Sequence, residues 1–278
     1  MTISSLSKLS SDLFAPIQTA STPSRPKSVI DHVKDYVGST SGAWDFFRAL
    51  DYAISPWKFT NLLSESSLEQ VHRISGVVGT AGASLCMPTL VTDAIGLKRS
   101  VDDLTHIHQC PTSDPERSKK IAQAYKKTVI NGADLGYTFC QSSRFLNEAN
   151  VIALGSSLPV FSGVQQVCGI VSDGNELIEE SYKLHNYQAD SSASTDQEKS
   201  LMAAKKNLSW LKIAKDIPSI AMSALALVGI FFASVASSPV VPIIFLSLSV
   251  SWLTFKVSSY FYENIVVADR QARVARPV

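Results

Sequence analysis

The sequence predicts an all-α fold, a helical bundle followed by a C-terminal two-helix transmembrane hairpin. Three observations carry that expectation. Residues 217–255 hold 39 positions without one charged side chain. Upstream, apolar residues recur at the spacing of helix faces, and no stretch shows the period-two alternation of a strand. Capping signals, glycines and prolines divide the pattern into helix-sized pieces.

Residues 1–27, MTISSLSKLSSDLFAPIQTASTPSRPK, are rich in Ser and Thr and low in charge. The longest apolar run, LFAPI, is too short for the h-region of a secretory signal, and no A-x-A cleavage pattern follows it. Such a composition cannot bury a core, so a disordered tail is expected.

A helical domain is expected over residues 28–187. It opens with Val29, Ile30, Val33 and Val37 at helical spacing, and GSTSG ends that run. In AWDFFRALDYAI, Trp44, Phe47, Leu50 and Ile54 share one face until Ser55-Pro56 interrupts. Ser66 with Glu69 reads as a capping box for the next helix. Asp114-Pro115 reads as an N-cap with proline at the first helical position. Ile121, Tyr125, Thr128, Gly132, Leu135 and Phe139 then carry a stripe towards Phe145. Two inner segments, 74–92 and 149–172, are free of charge over 19 and 24 residues. Gly76, Gly79, Gly82 and Ala83 let helix backbones approach closely in the first. Pro159, Gln165 and Gln166 make the second less apolar than the hairpin, and both segments are expected as buried bundle helices. The polar residues 188–200 read as a linker, and Thr195 with Glu198 as a capping box. An amphipathic helix over 201–216 leads into the hairpin.

The hairpin comes next, over 217–262. Residues 217–236 and 240–262 supply 20 and 23 positions, and about 20 apolar residues cross a bilayer core. Ser237, Ser238 and Pro239 form the turn, with Pro242 just beyond, because prolines stop one helix and restart the next. Lys256 is expected to snorkel to the headgroups, and Trp252, Tyr260 and Tyr262 to occupy the interface. Lys205, Lys206, Lys212 and Lys215 precede the hairpin, Lys256, Arg270, Arg273 and Arg276 follow it, and the turn is uncharged. Basic flanks resist translocation, so both ends are expected on one side. Residues 263–278 form a short basic tail.

Chemistry-bearing patterns are sparse. The net charge of +1 provides no basic field for nucleic acid. Cys86, Cys110, Cys140 and Cys168 form no C-x-x-C pair and read as small buried hydrophobes or free thiols. His106, His108 and Cys110 have metal-ligand identities, but side chains two apart on a helix point away from each other, so no metal is expected. Gly76, Gly79 and Gly82 are not followed by the Lys-Ser/Thr of a phosphate loop. No cofactor and no catalytic centre are expected. The acidic face of Glu176, Glu179 and Glu180, backed by Leu177, Ile178 and Leu184, is the candidate partner-binding surface. The competing reading is a solvated helix face, with Glu179 and Lys183 as an i,i+4 pair.

A helical body before two adjacent membrane helices with a minimal turn resembles the bilobed signature of the chlamydial inclusion membrane (Inc) protein family. In that resemblance MTISSLSKLSSDLF stands where the family carries an uncleaved type III secretion signal. The resemblance covers about a quarter of the chain and is architectural. It implies an effector in the inclusion membrane with both termini in the host cytosol. Its partners would be the lipid bilayer and host cytosolic proteins, not nucleic acid, and a homo-oligomer is compatible with it. WDFFRALDYAI and KKNLSWLKIAKDIPSIAMSAL are similar in style to the peroxins that elongate peroxisomes, which implies membrane shaping instead.

Overall fold

The computed structural model describes residues 28–59, 62–109, 116–189 and 195–275, and those residues contain helices and no strand. The expectations for the tail and for Asp114-Pro115 lie outside them. Helix α1 (Val29–Gly38) is capped by Ser28, which accepts from the Asp31 N–H in a full capping box. The expected GSTSG break shrinks to Ser39, which ends α1 and caps α2 (Thr40–Ile54) by accepting from the Gly42 N–H. A Cβ at Gly42 would lie 2.0 Å from the Tyr36 carbonyl oxygen, so the tight joint requires glycine there. Ser55–Phe59 continues as a 3-10 turn. Helix α3 (Glu65–Ser84) is capped by Ser64, two residues before the expected Ser66. It meets α4 (Met87–Gln109) at a 42° bend.

Helix α5 (Arg117–Glu148) runs antiparallel to α4, as the pairs Lys127–Asp103, Thr128–Ser100 and Thr138–Asp93 record. A connection containing Asn150 at φ 58° and Gly155 at φ 51° then leads to α6 (Leu158–Ala189). The expected linker is correspondingly shorter, because helix reaches Ala189 and resumes at Asp196. Helix α7 (Asp196–Phe231) opens on the expected Thr195–Glu198 capping box and runs unbroken through Pro218. The amphipathic segment and the first membrane-length segment are thus one rod. Helix α8 (Val240–Phe261) returns antiparallel, passes through a π turn (Tyr262–Val267) and ends as α9 (Ala268–Val274). The basic tail is therefore helical to Val274 and packs back on α7 around Ala204, Leu208 and Val267.

The turn departs from expectation. Helix α7 stops at Phe231, and extended backbone at Phe232 and a single turn over Ala233–Ala236 precede Ser237, Ser238 and Pro239. Pro242 sits buried in the first turn of α8, where it has no intrahelical donor to lose. By length and composition α7 and the α8–α9 rod could each cross a membrane, and the bent pair α3–α4 would make a third span if counted as one.

The pairings set two pairs of helices side by side. Glu180–Ser209, Glu176–Lys215 and Asp173–Ser219 set α6 antiparallel along α7. Lys256–Asp45, Trp252–Arg48 and Phe245–Tyr52 set α2 antiparallel along α8. The charge-free halves of α6, α7 and α8 thus lie side by side with α2. The charged halves of α4, α5, α6 and α7 form the other end.

Candidate functional site: a polar seam behind an apolar hairpin

Helical spacing builds the seam. On α7, Lys215, Ser219 and Ser223 recur every four residues, with Asp216 beside them, and all four are buried. On α8, Phe245, Ser249, Trp252 and Ser259 are buried along one stripe that also carries Lys256. On α2, Asp45, Arg48, Ala49 and Tyr52 meet them. Ala49, Met222, Phe245 and Trp252 are the apolar heart of this junction.

Arg48 ties five helices together. Its guanidinium lies 5.0 Å from the rings of Trp44 and Trp252 and 5.6 Å from those of Tyr52 and Tyr137. It donates to Ser219 Oγ at 3.1 Å and stands 3.8 Å from Asp173. Ser219 in turn donates to Asp173 at 2.5 Å. A planar cation stacked on aromatic faces and paired with a carboxylate needs little water, which is why Arg, not Lys, suits this position. Nearby, Lys215 Nζ lies 2.8 Å from both Glu176 and Asp216. At the other end Asp45 accepts from the Tyr36 hydroxyl at 3.0 Å and stands 3.7 Å from Lys256.

The seam groups three cations, Arg48, Lys215 and Lys256, with four carboxyls, Asp45, Asp173, Glu176 and Asp216. Asp216, one residue before the apolar stretch, resolves the imbalance. Burial pushes its carboxyl up to about 7 against the pull of Lys215, and the charges of Glu176 and Asp173 add to the rise. Around neutral pH it therefore holds a proton part of the time.

The outward face of the hairpin is the opposite in character. Val228, Phe231, Val240, Ile243, Ile244, Leu246 and Val250 are all exposed. The hydroxyls among them are satisfied locally: Ser247, Ser251 and Thr254 each donate to the carbonyl four residues earlier. Such back-bonding lets a hydroxyl face an apolar medium without an orphan donor.

Two expectations are corrected here. Lys256 turns inward instead of snorkelling, with its Nζ 3.7 Å from the Asp45 carboxyl on α2. Trp252 is 2% exposed under Arg48, not at an interface. Tyr260 packs on Tyr36 with ring centroids 4.7 Å apart, and Tyr262 accepts from Asn207 at 3.2 Å.

The three glutamates of the candidate partner face are separated by their surroundings. Glu180 is 5% exposed and accepts from Ser209 at 2.7 Å and Lys183 at 2.6 Å. Glu176 pairs with Lys215, and Glu179 with Lys126 at 3.0 Å; both keep about two-fifths of their side chains in solvent, 41% and 44%. The surface open to a partner is accordingly Glu176 and Glu179. Glu180 fastens α6 to α7.

His106 and His108 lie in the last turn of α4, where His108 meets Tyr125 edge-on, and the described residues hold no cluster of metal-ligating type. Burial pushes the Cys86 and Cys140 thiols up to about 11, which keeps them protonated near neutral pH. A cleft of about 490 Å³ lies beside Arg48, lined by Trp44, Asp93, Asp134, Tyr137 and Asp173. Its acids already have partners, Thr138 donating to Asp93 and Ser172 to Asp134.

Sequence reasoning missed Asp45 and Arg48. The signal was present: charges three apart, Asp45, Arg48 and Asp51, within an aromatic-rich helix, and one lysine inside a membrane-length run. No family model, no curated protein and no solved structure matches this chain.

Proposed function

We propose that this chain is a membrane-anchored interaction protein, an effector resembling the type III-secreted inclusion membrane proteins. The observation that carries the reading is the two-faced hairpin, with its polar groups turned to the bundle and its exposed surface apolar. Lipid rewards that arrangement, since charges at bilayer depth are tolerated when they face inward and pair. Arg48, Lys256 and their carboxylates do so. Helix α2 and the first half of α6 accompany the hairpin to bilayer depth, and the charged half of the bundle stands in the host cytosol with both termini. The pairs Lys212–Glu263 and Arg270–Ser200 fall at that same end, beside the basic flanks. There the bundle recruits host cytosolic partners through the exposed part of the acidic face. Confinement near a surface raises effective concentration, so modest affinity suffices.

The test has two arms. The full chain expressed in cells is expected to remain in the membrane pellet after alkaline carbonate treatment; complete extraction would overturn the anchor. Residues 1–25 fused to a reporter are expected to be exported by a type III apparatus without cleavage. Export no better than the bare reporter would remove the effector reading and leave the anchor standing.

A second reading, membrane shaping in the manner of the peroxins, draws support from the exposed apolar face of α1. Tubulation of vesicles by the full chain, with no cytosolic protein captured, would favour it.

A further inference from the structure

Helix α1 leaves its apolar face uncovered by the bundle. Its apolar residues Val29, Ile30, Val33 and Val37 are between 43% and 67% exposed, while Tyr36 is buried. At 100° per residue those four cover one arc of about 100°, and Asp31 and Asp35 lie on the opposite side. The helix does not float free. The Tyr36 ring packs 4.7 Å from Tyr260 and 6.4 Å from Phe261, and its hydroxyl donates to Asp45.

That attachment point fixes the level of the helix. Tyr260 and Phe261 are the last residues of α8, whose 22 residues extend about 33 Å, the thickness of a hydrocarbon core. A helix fastened there lies where a span leaves the hydrocarbon, beside the aromatic residues typical of that depth. Its 10 residues are too few to cross and enough to lie flat. We infer that α1 is an interfacial helix that seats Val29, Ile30, Val33 and Val37 in the lipid surface next to the base of the hairpin. The occupant of this face is lipid, because Tyr36 fastens the helix that carries it to Tyr260 and Phe261, at the end of the apolar span. This inference rests on the membrane reading above and adds a second, shallower contact to it.

The experiment places the photocrosslinking residue p-benzoylphenylalanine at Val33 or at Asp35 in the full chain, reconstituted in phosphatidylcholine vesicles. Adducts are read by mass spectrometry, with carbonate extraction in parallel. Lipid adducts at Val33 and none above background at Asp35 are expected. A carbonate-resistant chain without lipid adducts at Val33, or with Val33 crosslinked into a second copy, would overturn the inference and leave the hairpin reading intact. A carbonate-extractable chain with adducts at Val33 would do the reverse, keeping α1 as a surface contact and removing the anchor.

Discussion

Asp45 on α2 stands 3.7 Å from Lys256 on α8 and accepts a hydrogen bond from Tyr36 on α1, so one fully buried carboxylate joins three helices. Removing one partner of a buried pair leaves the other uncompensated, and about 3 kcal/mol is the expected cost for Asp45→Ala, the low end because Lys256 is 31% exposed. Asp45→Asn combined with Lys256→Met should cost less than the sum of the two single changes. Denaturant unfolding of the purified chain in detergent checks both; strict additivity would mean the pair does not interact.

Two carboxyls give pH dependence of opposite sign. Asp216, raised to about 7, contributes stability that is complete below its ordinary value of 3.8 and is lost as pH rises through 7. Burial opposes ionisation of Glu180, but Lys183 and Ser209 outweigh it and hold its carboxyl below the ordinary 4.5. Its contribution is present above 4.5 and is lost as pH falls through the lowered value. The melting temperature should therefore be higher near pH 5.5 than near pH 8, and Asp216→Asn should flatten that slope. Glu180→Gln should leave this window unchanged in slope and soften the loss of stability in stronger acid.

Met222 and Phe231 belong to one helix and should respond differently. Met222 is 0% exposed, packs among Ala49, Phe245 and Trp252, and accepts from Ser249 at 3.3 Å. Met222→Ala is expected to cost about 2–5 kcal/mol through lost contacts and an unfilled cavity. Phe231 is 72% exposed, and Phe231→Ala should change detergent-state unfolding by about 0.5 kcal/mol or less. Equal effects would mean that the hairpin does not pack on α2 as described.

Gly42→Ala should open the joint between α1 and α2. The added Cβ would sit 2.0 Å from the Tyr36 carbonyl oxygen and 2.8 Å from its carbon, and backbone cannot give way as a flexible side chain does. Tyr36 would leave Asp45 and Tyr260. Limited proteolysis at residues 38–42 ahead of the rest of the chain is the expected readout, compared with Gly38→Ala, whose added Cβ meets nothing.

Individual elements differ in how much of them could be read in advance. The Thr195–Glu198 box was legible because it is local chemistry, whereas the predicted stripes are not the buried faces: α2 buries Asp45 and Ala49, and Tyr125 and Phe139 on α5 are exposed. The α3 cap moved from Ser66 to Ser64 because several serines compete there and tertiary position selects one. The turn lengthened because α7 ends at Phe231 and Phe232 takes extended backbone, without a local breaker at that position. The three glutamates looked alike at i, i+3 and i+4 spacing, and only the approach of Ser209, Lys215 and Lys126 distinguished a fastening residue from two exposed ones.

The sequence by itself determined that the chain is helical and that its last third carries two long apolar helices, since periodicity, composition and capping are properties of neighbouring residues. Tertiary structure decided which face of those helices is polar. Lys256 and Trp252 had no visible partners along the chain, and a lone lysine in a charge-free run is free to snorkel. Once α2 lies against α8, Asp45 and Arg48 arrive from more than 200 residues away, and Lys256 and Trp252 turn inward to meet them. The same packing leaves the valines of α1 uncovered, which no helical period could reveal, because period defines a face and only packing decides what that face meets.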